Sequence, residues 1–167
     1  MSETNRLEVT RLITAPASDI FAVLCDPYGH LAIDSSGMLQ DVTGDVVSAA
    51  GDTFVVHMDR EALNDYPELG TYDVTVKIRD FEQDAHISWD VLGQIRPQIG
   101  HFYGYRLESL AGGRATRVTS YYDWSQIHPD WAAIFPVLSE TALRATLGIL
   151  DRAVRLGYVP GPPQRRV

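Results

Sequence analysis

The chain has 167 residues, of which 45% are apolar and 22% charged, and its formal net charge is −8. This length predicts one compact domain over residues 1–167, able to bury about two-thirds of its unfolded surface. The acidic balance excludes nucleic acid as an expected partner, because phosphate contacts need a clustered positive surface.

Neither end of the chain predicts a targeting or membrane segment. Residues 1–6 are polar, and the longest apolar run, residues 132–138, is far shorter than a membrane span of about 20 residues. We therefore expect a cytoplasmic protein without integral membrane association. The one cysteine, Cys25, rules out an internal disulfide and a cysteine-cluster metal site, and its apolar neighbours predict a buried side chain.

The first elements in chain order are a strand and a helix. Residues 7–14 have strand character, and Pro16 suits the first position of a helix because its missing N–H needs no partner there. The Asp26-Pro27 pair ends that helix, since a residue before proline is pushed out of the α region. A second short helical turn is predicted over residues 28–34.

After Gly37 the pattern changes to period two for about eighty residues, which predicts an antiparallel strand meander. Gly112-Gly113 predicts a hairpin turn within it. The positions assigned to one face of the sheet are Phe54, Val56, Met58, Tyr72, Val74, Val76, Ile78, Ile87, Trp89, Val91, His101, Tyr103, Tyr105, Leu107, Val118, Ser120, Tyr122 and Trp124. Arg106 alternates with these residues and should face outward.

The period returns to 3.6 in the last element. A helix is predicted from Ala132 or Val137 to Leu156, and Gly157 ends it. At 1.5 Å per residue such a helix is a rod of roughly 30 Å. Its apolar stripe comprises Leu143, Leu147, Leu150 and Val154. The proline-rich stretch 160–167 is expected to be a loose tail.

Together these elements predict an α+β fold in which a curved antiparallel sheet grips a long C-terminal helix, with one or two short helices after the first strand. A sheet bent around one helix leaves space that is either filled by large side chains or kept as a cavity. Cavities of this kind bind small ligands.

The order of elements, with "LEVTRLITAPASDIFAVLCDP" near the start and "YDWS" before the last helix, resembles the START-like superfamily of polyketide cyclases and lipid-transfer proteins, also called SRPBCC. The stretch "HLAIDSSG" is similar to a segment of an actinobacterial subgroup described as cyclase- or dehydrase-like. The resemblance covers nearly the whole chain and implies a helix-grip fold. It also implies a cavity for apolar or aromatic molecules, in which only some members carry out chemistry.

The "HLAIDSSG" stretch permits two interpretations. His30 and Asp34 could form an acid/base pair, because a carboxylate fixes the tautomer of an imidazole and raises its pKa. Alternatively, Asp34 and Ser36 stabilise a turn that finishes at Gly37, since short oxygen side chains bond nearby N–H groups. The turn is the favoured interpretation.

A set of rings on the inner face is the predicted ligand site. Rings supply contact area, while hydroxyl, N–H and imidazole groups fix the orientation of a flat amphiphile. A packed aromatic core would give the same pattern and remains the alternative. The predicted ligand-binding residues are Met58, Tyr72, Trp89, His101, Tyr103, Tyr105, Tyr122 and Trp124.

The predicted cavity and the resemblance to the START-like superfamily together imply three functional classes. A binding or transfer protein needs only the cavity. A polyketide aromatase, cyclase or dehydrase also needs an acid/base group, for which the candidates are His101, Tyr103, His30 and Asp34. An interaction module like the related domains that stimulate a chaperone ATPase ranks third. We expect no metal and no cofactor, a hydrophobic small molecule as partner, and a monomer or homodimer.

Overall fold

The computed structural model describes residues 4–64 and 67–164, which form a curved seven-stranded antiparallel sheet with helices on its concave side. The strands are β1 (Arg6–Ile13), β2 (Leu39–Thr43), β3 (Thr53–Asp59), β4 (Thr71–Glu82), β5 (His86–Leu92), β6 (Phe102–Leu110) and β7 (Ala115–Asp123). Their order across the sheet is β1-β7-β6-β5-β4-β3-β2. The first strand therefore pairs with the last, and β2 and β1 are the two edges. This is the predicted helix-grip α+β fold.

Two short helices, α1 (Ala17–Cys25) and α2 (Pro27–Ile33), follow β1. Asp26 separates them as predicted, and it also caps α2, because its Oδ1 accepts a hydrogen bond from the Tyr28 N–H at 3.1 Å. Cys25 is buried, and burial together with the charge of Asp84 raises the pKa of its thiol to about 12. The thiol is therefore part of the core, as its neighbours predicted.

The predicted alternation in the meander is confirmed. On β6, Tyr105 and Leu107 are buried, whereas Arg106 between them is exposed. The register places Tyr103 opposite Trp89 on one side and opposite Tyr122 on the other. The register shifts between Ile78 and Phe81, where β4 departs from strict alternation. The turn at Gly112-Gly113 is present, with both residues at positive φ.

The last helix, α3 (Glu140–Arg155), is shorter than predicted. Both predicted starts are wrong, because residues 129–134 form a separate 3-10 turn and Pro136 follows it. Ser139 is the N-cap, and its Oγ accepts a hydrogen bond from the Ala142 N–H at 3.2 Å. At 1.5 Å per residue α3 is about 24 Å long. Its stripe packs as predicted, with Leu143, Leu147 and Leu150 buried in the core.

The C-terminal stretch is held to the domain as far as residue 161. The Gly161 N–H donates a hydrogen bond to Asp26 Oδ2 at 2.8 Å, and the Tyr158 hydroxyl donates to the same oxygen at 2.6 Å. The prediction of a loose tail is therefore wrong at its start, while residues 165–167 lie outside the described ranges. Within the described ranges no helix has the length and apolar character needed to cross a membrane.

Candidate functional site

The open end of the grip is where four connections meet. Because the strands are antiparallel, the α2–β2, β3–β4, β5–β6 and β7–α3 connections all lie at this end. Backbone hydrogen bonds join them: Asp59 N–H to the Met38 carbonyl at 2.8 Å, and His128 N–H to the Ile99 carbonyl at 2.9 Å. The Trp131 indole N–H also donates to the Pro97 carbonyl at 3.1 Å. These connections therefore surround the end of the concave face at which they lie.

The predicted aromatic residues other than Tyr72 form one contiguous array. The Trp89 ring lies 6.2 Å from that of Tyr103 and 5.9 Å from that of Tyr105, in both cases nearly parallel. Tyr122 lies 4.6 Å from Tyr103 and 5.5 Å from Trp124. Tyr122 is 0% exposed and Tyr105 4% exposed. The deep part of the concave face is therefore filled by rings, which corresponds to the packed-core alternative.

The outer edge of the array is open. Tyr103 is only half-buried, as are Met58 and Tyr72, which face each other across β3 and β4. Met58 and Tyr72 also belong to a surface depression of about 380 Å³. Its lining comprises Gln40, His57, Met58, Asp59, Thr71, Tyr72, Asp73 and Gln94. Further half-buried apolar side chains against the core include Leu31, Leu39, Val74, Val91, Phe135 and Leu138. We call the depression, together with these half-buried side chains and Tyr103, the mouth.

A chain of hydrogen bonds runs from the interior to the mouth. His101 Nδ1 and the Tyr122 hydroxyl are 2.7 Å apart, and the Tyr122 and Tyr103 hydroxyls interact in turn. Burial lowers the pKa of His101 to about 4, although the charge of Asp90 opposes the shift. Burial raises the pKa of Tyr103 to about 12 and also raises that of Tyr122. All three groups are therefore neutral near pH 7, so the chain can shift protons without holding a charge.

His30 lies deeper than its prediction as an acid/base group requires. Its Nε2 donates a hydrogen bond to the Leu24 carbonyl at 2.8 Å, which assigns the proton to that nitrogen. Its ring contacts Trp89 at 4.7 Å and Phe54 at 5.0 Å, edge to face. Burial lowers the pKa of His30 to about 4, although the hydrogen bond to Leu24 raises it. The imidazole is a neutral part of the core.

Asp34 forms the turn that was the favoured interpretation. Its Oδ1 accepts hydrogen bonds from the Ser36 N–H at 2.9 Å and the Ser36 hydroxyl at 2.6 Å. Its Oδ2 accepts from the Leu39 N–H at 3.2 Å. Across the described ranges neither a hydrogen bond nor an ion pair joins Asp34 to His30, so the two groups have separate partners.

Two side-chain clusters on the convex face were not predicted. In one, the Tyr121 hydroxyl lies 2.6 Å from His86 Nε2, and burial together with the charge of Arg106 lowers the pKa of His86. In the other, Thr43, His57 and Asp73 are linked across three strands. Alternation in the sequence reveals which residues share a face, but these clusters depend on the strand register, which it does not specify. Within the described residues no three His, Cys, Asp or Glu side chains are arranged to hold a metal ion.

The sheet and its helices define a helix-grip α+β protein, and solved structures share this fold. A protein from Nitrosomonas europaea is 14% identical, with a TM-score of 0.64 over 93% of this chain and 97% of its own. Norcoclaurine synthase from Thalictrum flavum, in complex with dopamine and hydroxybenzaldehyde, is 13% identical, with a TM-score of 0.62 over 92% of this chain and 88% of its own. The Aha1 dimer from Colwellia psychrerythraea is 17% identical, with a TM-score of 0.59 over 92% and 98%.

No family model and no curated protein matches the chain. The structural likenesses therefore establish the fold, and the prediction of a helix-grip fold is confirmed.

Proposed function

We propose that the protein binds a hydrophobic or aromatic small molecule, lipid-like or polyketide-like, at the mouth. The observation that carries this proposal is the half-buried edge of the concave face, where Met58 and Tyr72 line a depression of about 380 Å³ and Tyr103 is half-buried two strands away. Such a volume is within the usual range for small-molecule sites of about 300–1,000 Å³.

The mouth has an apolar surface and a polar hydroxyl group, and each would contact a different part of the ligand. Apolar parts of the ligand would contact Met58 and Val91, because burying them removes apolar area from water. The neutral hydroxyl of Tyr103 offers one hydrogen bond to a polar end of the ligand. The aromatic ligands held by norcoclaurine synthase support the choice of ligand class.

A second candidate function is a cyclase or dehydrase reaction on the same ligand class. The hydrogen-bonded chain from His101 through Tyr122 to Tyr103 favours it, because a neutral imidazole can both accept and donate a proton. In this case Tyr103 would act on the substrate and His101 would receive or return the proton.

Thermal shift with a panel of aromatic ketones, polyketide-like phenols and fatty acids tests the binding proposal. A ligand at a hundredfold excess over its Kd should stabilise the protein by about 2.7 kcal/mol. Met58→Gln should weaken that binding, because it places an amide in the apolar wall. The matched control is Leu156→Gln, at a residue that is 73% exposed just beyond the C-terminal end of α3. A panel without any stabilising compound, or equal affinities in the two variants, contradicts the proposal.

His101→Gln separates binding from catalysis when affinity and turnover are both measured for the ligands found, because glutamine keeps hydrogen-bonding groups but cannot relay protons. A binder should lose about tenfold in affinity at most. An enzyme should lose on the order of a hundredfold in turnover at nearly unchanged affinity.

A further inference from the structure

Three side chains on the convex face form a continuous hydrogen-bonded array. His57 Nδ1 lies 2.7 Å from Asp73 Oδ1, and His57 Nε2 lies 2.7 Å from the hydroxyl oxygen of Thr43. The register explains the first contact, since His57 on β3 lies directly opposite Asp73 on β4. Thr43 reaches the imidazole diagonally from the edge strand β2, whose register partner for His57 is Asp41.

The two ring nitrogens have different partners, and this decides the proton positions. An aspartate can only accept, so Nδ1 of a neutral His57 carries the proton and donates it to Asp73. Nε2 is then an acceptor, and the Thr43 hydroxyl donates to it. A hydroxyl, an imidazole and a carboxylate in this order form a nucleophile, a general base and a group that orients the base.

We propose that Thr43, His57 and Asp73 form a second, nucleophilic site on the convex face, which takes an acyl group from activated carboxylic esters and passes it to water. Thr43 is exposed, and the His57 side chain is 38% exposed, so a small ester reaches the hydroxyl from solvent. Because threonine is β-branched, its χ1 is restricted, and the hydroxyl keeps its direction.

The reaction balances with water as the second substrate. The Thr43 oxygen bonds to the carbonyl carbon of the ester while its proton passes to His57 Nε2. The bond from that carbon to the leaving alkoxide or phenoxide breaks, and the leaving group takes the proton. Water then attacks the threonine ester with His57 as base, which releases the carboxylic acid and restores the hydroxyl. No oxidation or reduction occurs.

The array itself determines the class of ester. Its three side chains supply a nucleophile and a base, and none of the three is an oxyanion donor, so we propose only esters that need little stabilisation of the tetrahedral intermediate. Aryl esters need less of this help because phenoxides leave easily. His57 and Asp73 also line the depression at the mouth. The ester reaction needs only the Thr43, His57 and Asp73 side chains, so it does not depend on the proposed ligand-binding function.

Incubation with p-nitrophenyl acetate tests the site in the full-length protein. Intact mass spectrometry and peptide mapping should find an acetyl group on Thr43, and nitrophenol release should exceed that of the variants. Thr43→Val should abolish the adduct, and His57→Gln should lower the rate at least tenfold, in line with the usual contribution of a general base. Asp73 is a positioning residue, so Asp73→Asn should lower the rate and Asp73→Glu should recover part of it.

Thr10 provides the matched control. It is an exposed strand threonine whose hydroxyl lies 3.3 Å from that of Thr119, and among residues 4–64 and 67–164 no imidazole is hydrogen-bonded to it. Thr10→Val should leave acetylation and nitrophenol release unchanged. Acetylation confined to other residues, or a His57→Gln rate equal to that of the unmodified sequence, overturns the proposal. Circular dichroism of each variant confirms that a lost rate does not reflect lost folding.

Discussion

Asp26 is a charged residue that the fold has almost completely removed from water. It is 1% exposed, and its two oxygens accept hydrogen bonds from the Tyr28 N–H, the Gly161 N–H and the Tyr158 hydroxyl. A buried carboxylate is stable only when such donors compensate for its lost hydration. Burial raises the pKa of Tyr158, and the hydrogen bond to Asp26 raises it further. This one side chain therefore joins α1, α2 and the C-terminal stretch.

Replacing Asp26 should destabilise the protein more than removing any one of the three groups that donate hydrogen bonds to it. Asp26→Ala leaves three donors without their acceptor, and we expect a loss of about 3 kcal/mol in the free energy of unfolding. Tyr158→Phe removes one of the three hydrogen bonds and should cost about 1–2 kcal/mol. Urea denaturation of both variants checks the order. A Tyr158→Phe variant less stable than Asp26→Ala would contradict the assignment of the Asp26 carboxylate as the group that joins these segments.

At the scale of elements, β6 and β7 meet through a glycine and a tyrosine on the convex face. The ring of Tyr121 lies flat on Gly104, and a Cβ at Gly104 would come within 2.2–2.7 Å of its ring atoms. The guanidinium groups of Arg6 and Arg106 lie over the same ring at 4.0 and 4.8 Å. Glycine is therefore required at position 104 for packing, because a larger residue would displace the buried ring.

Gly104→Ala should consequently be destabilising by about 1–3 kcal/mol, the usual range for overpacking. Gly93→Ala is the matched control, because the nearest atom to its added methyl, Val74 Cγ1, is 3.8 Å away and its φ is not positive. It should change stability by less than about 0.5 kcal/mol. Chemical denaturation of the two variants measures the difference, and equal losses would contradict this account of the Tyr121 contact.

The elements also show what the sequence can predict. Alternation identified the inner face of the meander because burial of one face follows directly from period two. The start of α3 was misplaced because residues 132–138 are apolar in either conformation, and Pro136 and the Ser139 cap decide the boundary. The ring set was correctly assigned to the inner face, but whether rings line a cavity or fill it depends on their rotamers. The Thr43 array depends on register between strands, which alternation does not determine.

At the scale of the whole molecule, two buried imidazoles make stability depend on pH. The pKa values of His30 and His101 fall from 6.5 to about 4 on folding, in both cases mainly because burial disfavours the charged form. The unfolded chain therefore binds more protons than the folded protein between these values. Their contribution to stability is complete above about pH 6.5 and is lost as the pH falls toward 4.

We expect each of these histidines to lower the free energy of unfolding by about 2 kcal/mol between pH 7 and pH 5. His30→Gln and His101→Gln should each remove the part of that pH dependence that comes from the replaced histidine, because glutamine does not titrate. Urea denaturation at the two pH values provides the measurement. A variant with the same difference between the two pH values as the unmodified sequence would show that its imidazole is not desolvated in the folded protein.

The pairing of β1 with β7 constrains how the protein is made. Residues 6–13 leave the ribosome long before their partners at 115–123. At about 5–20 residues per second, β1 must wait on the order of ten seconds for its partner strand. An unpaired strand is a template for other chains, and charged side chains are the usual protection. On a crowded polysome, Arg6, Glu8 and Arg11 would provide that protection, keeping the first strand of one nascent chain from pairing with that of its neighbour.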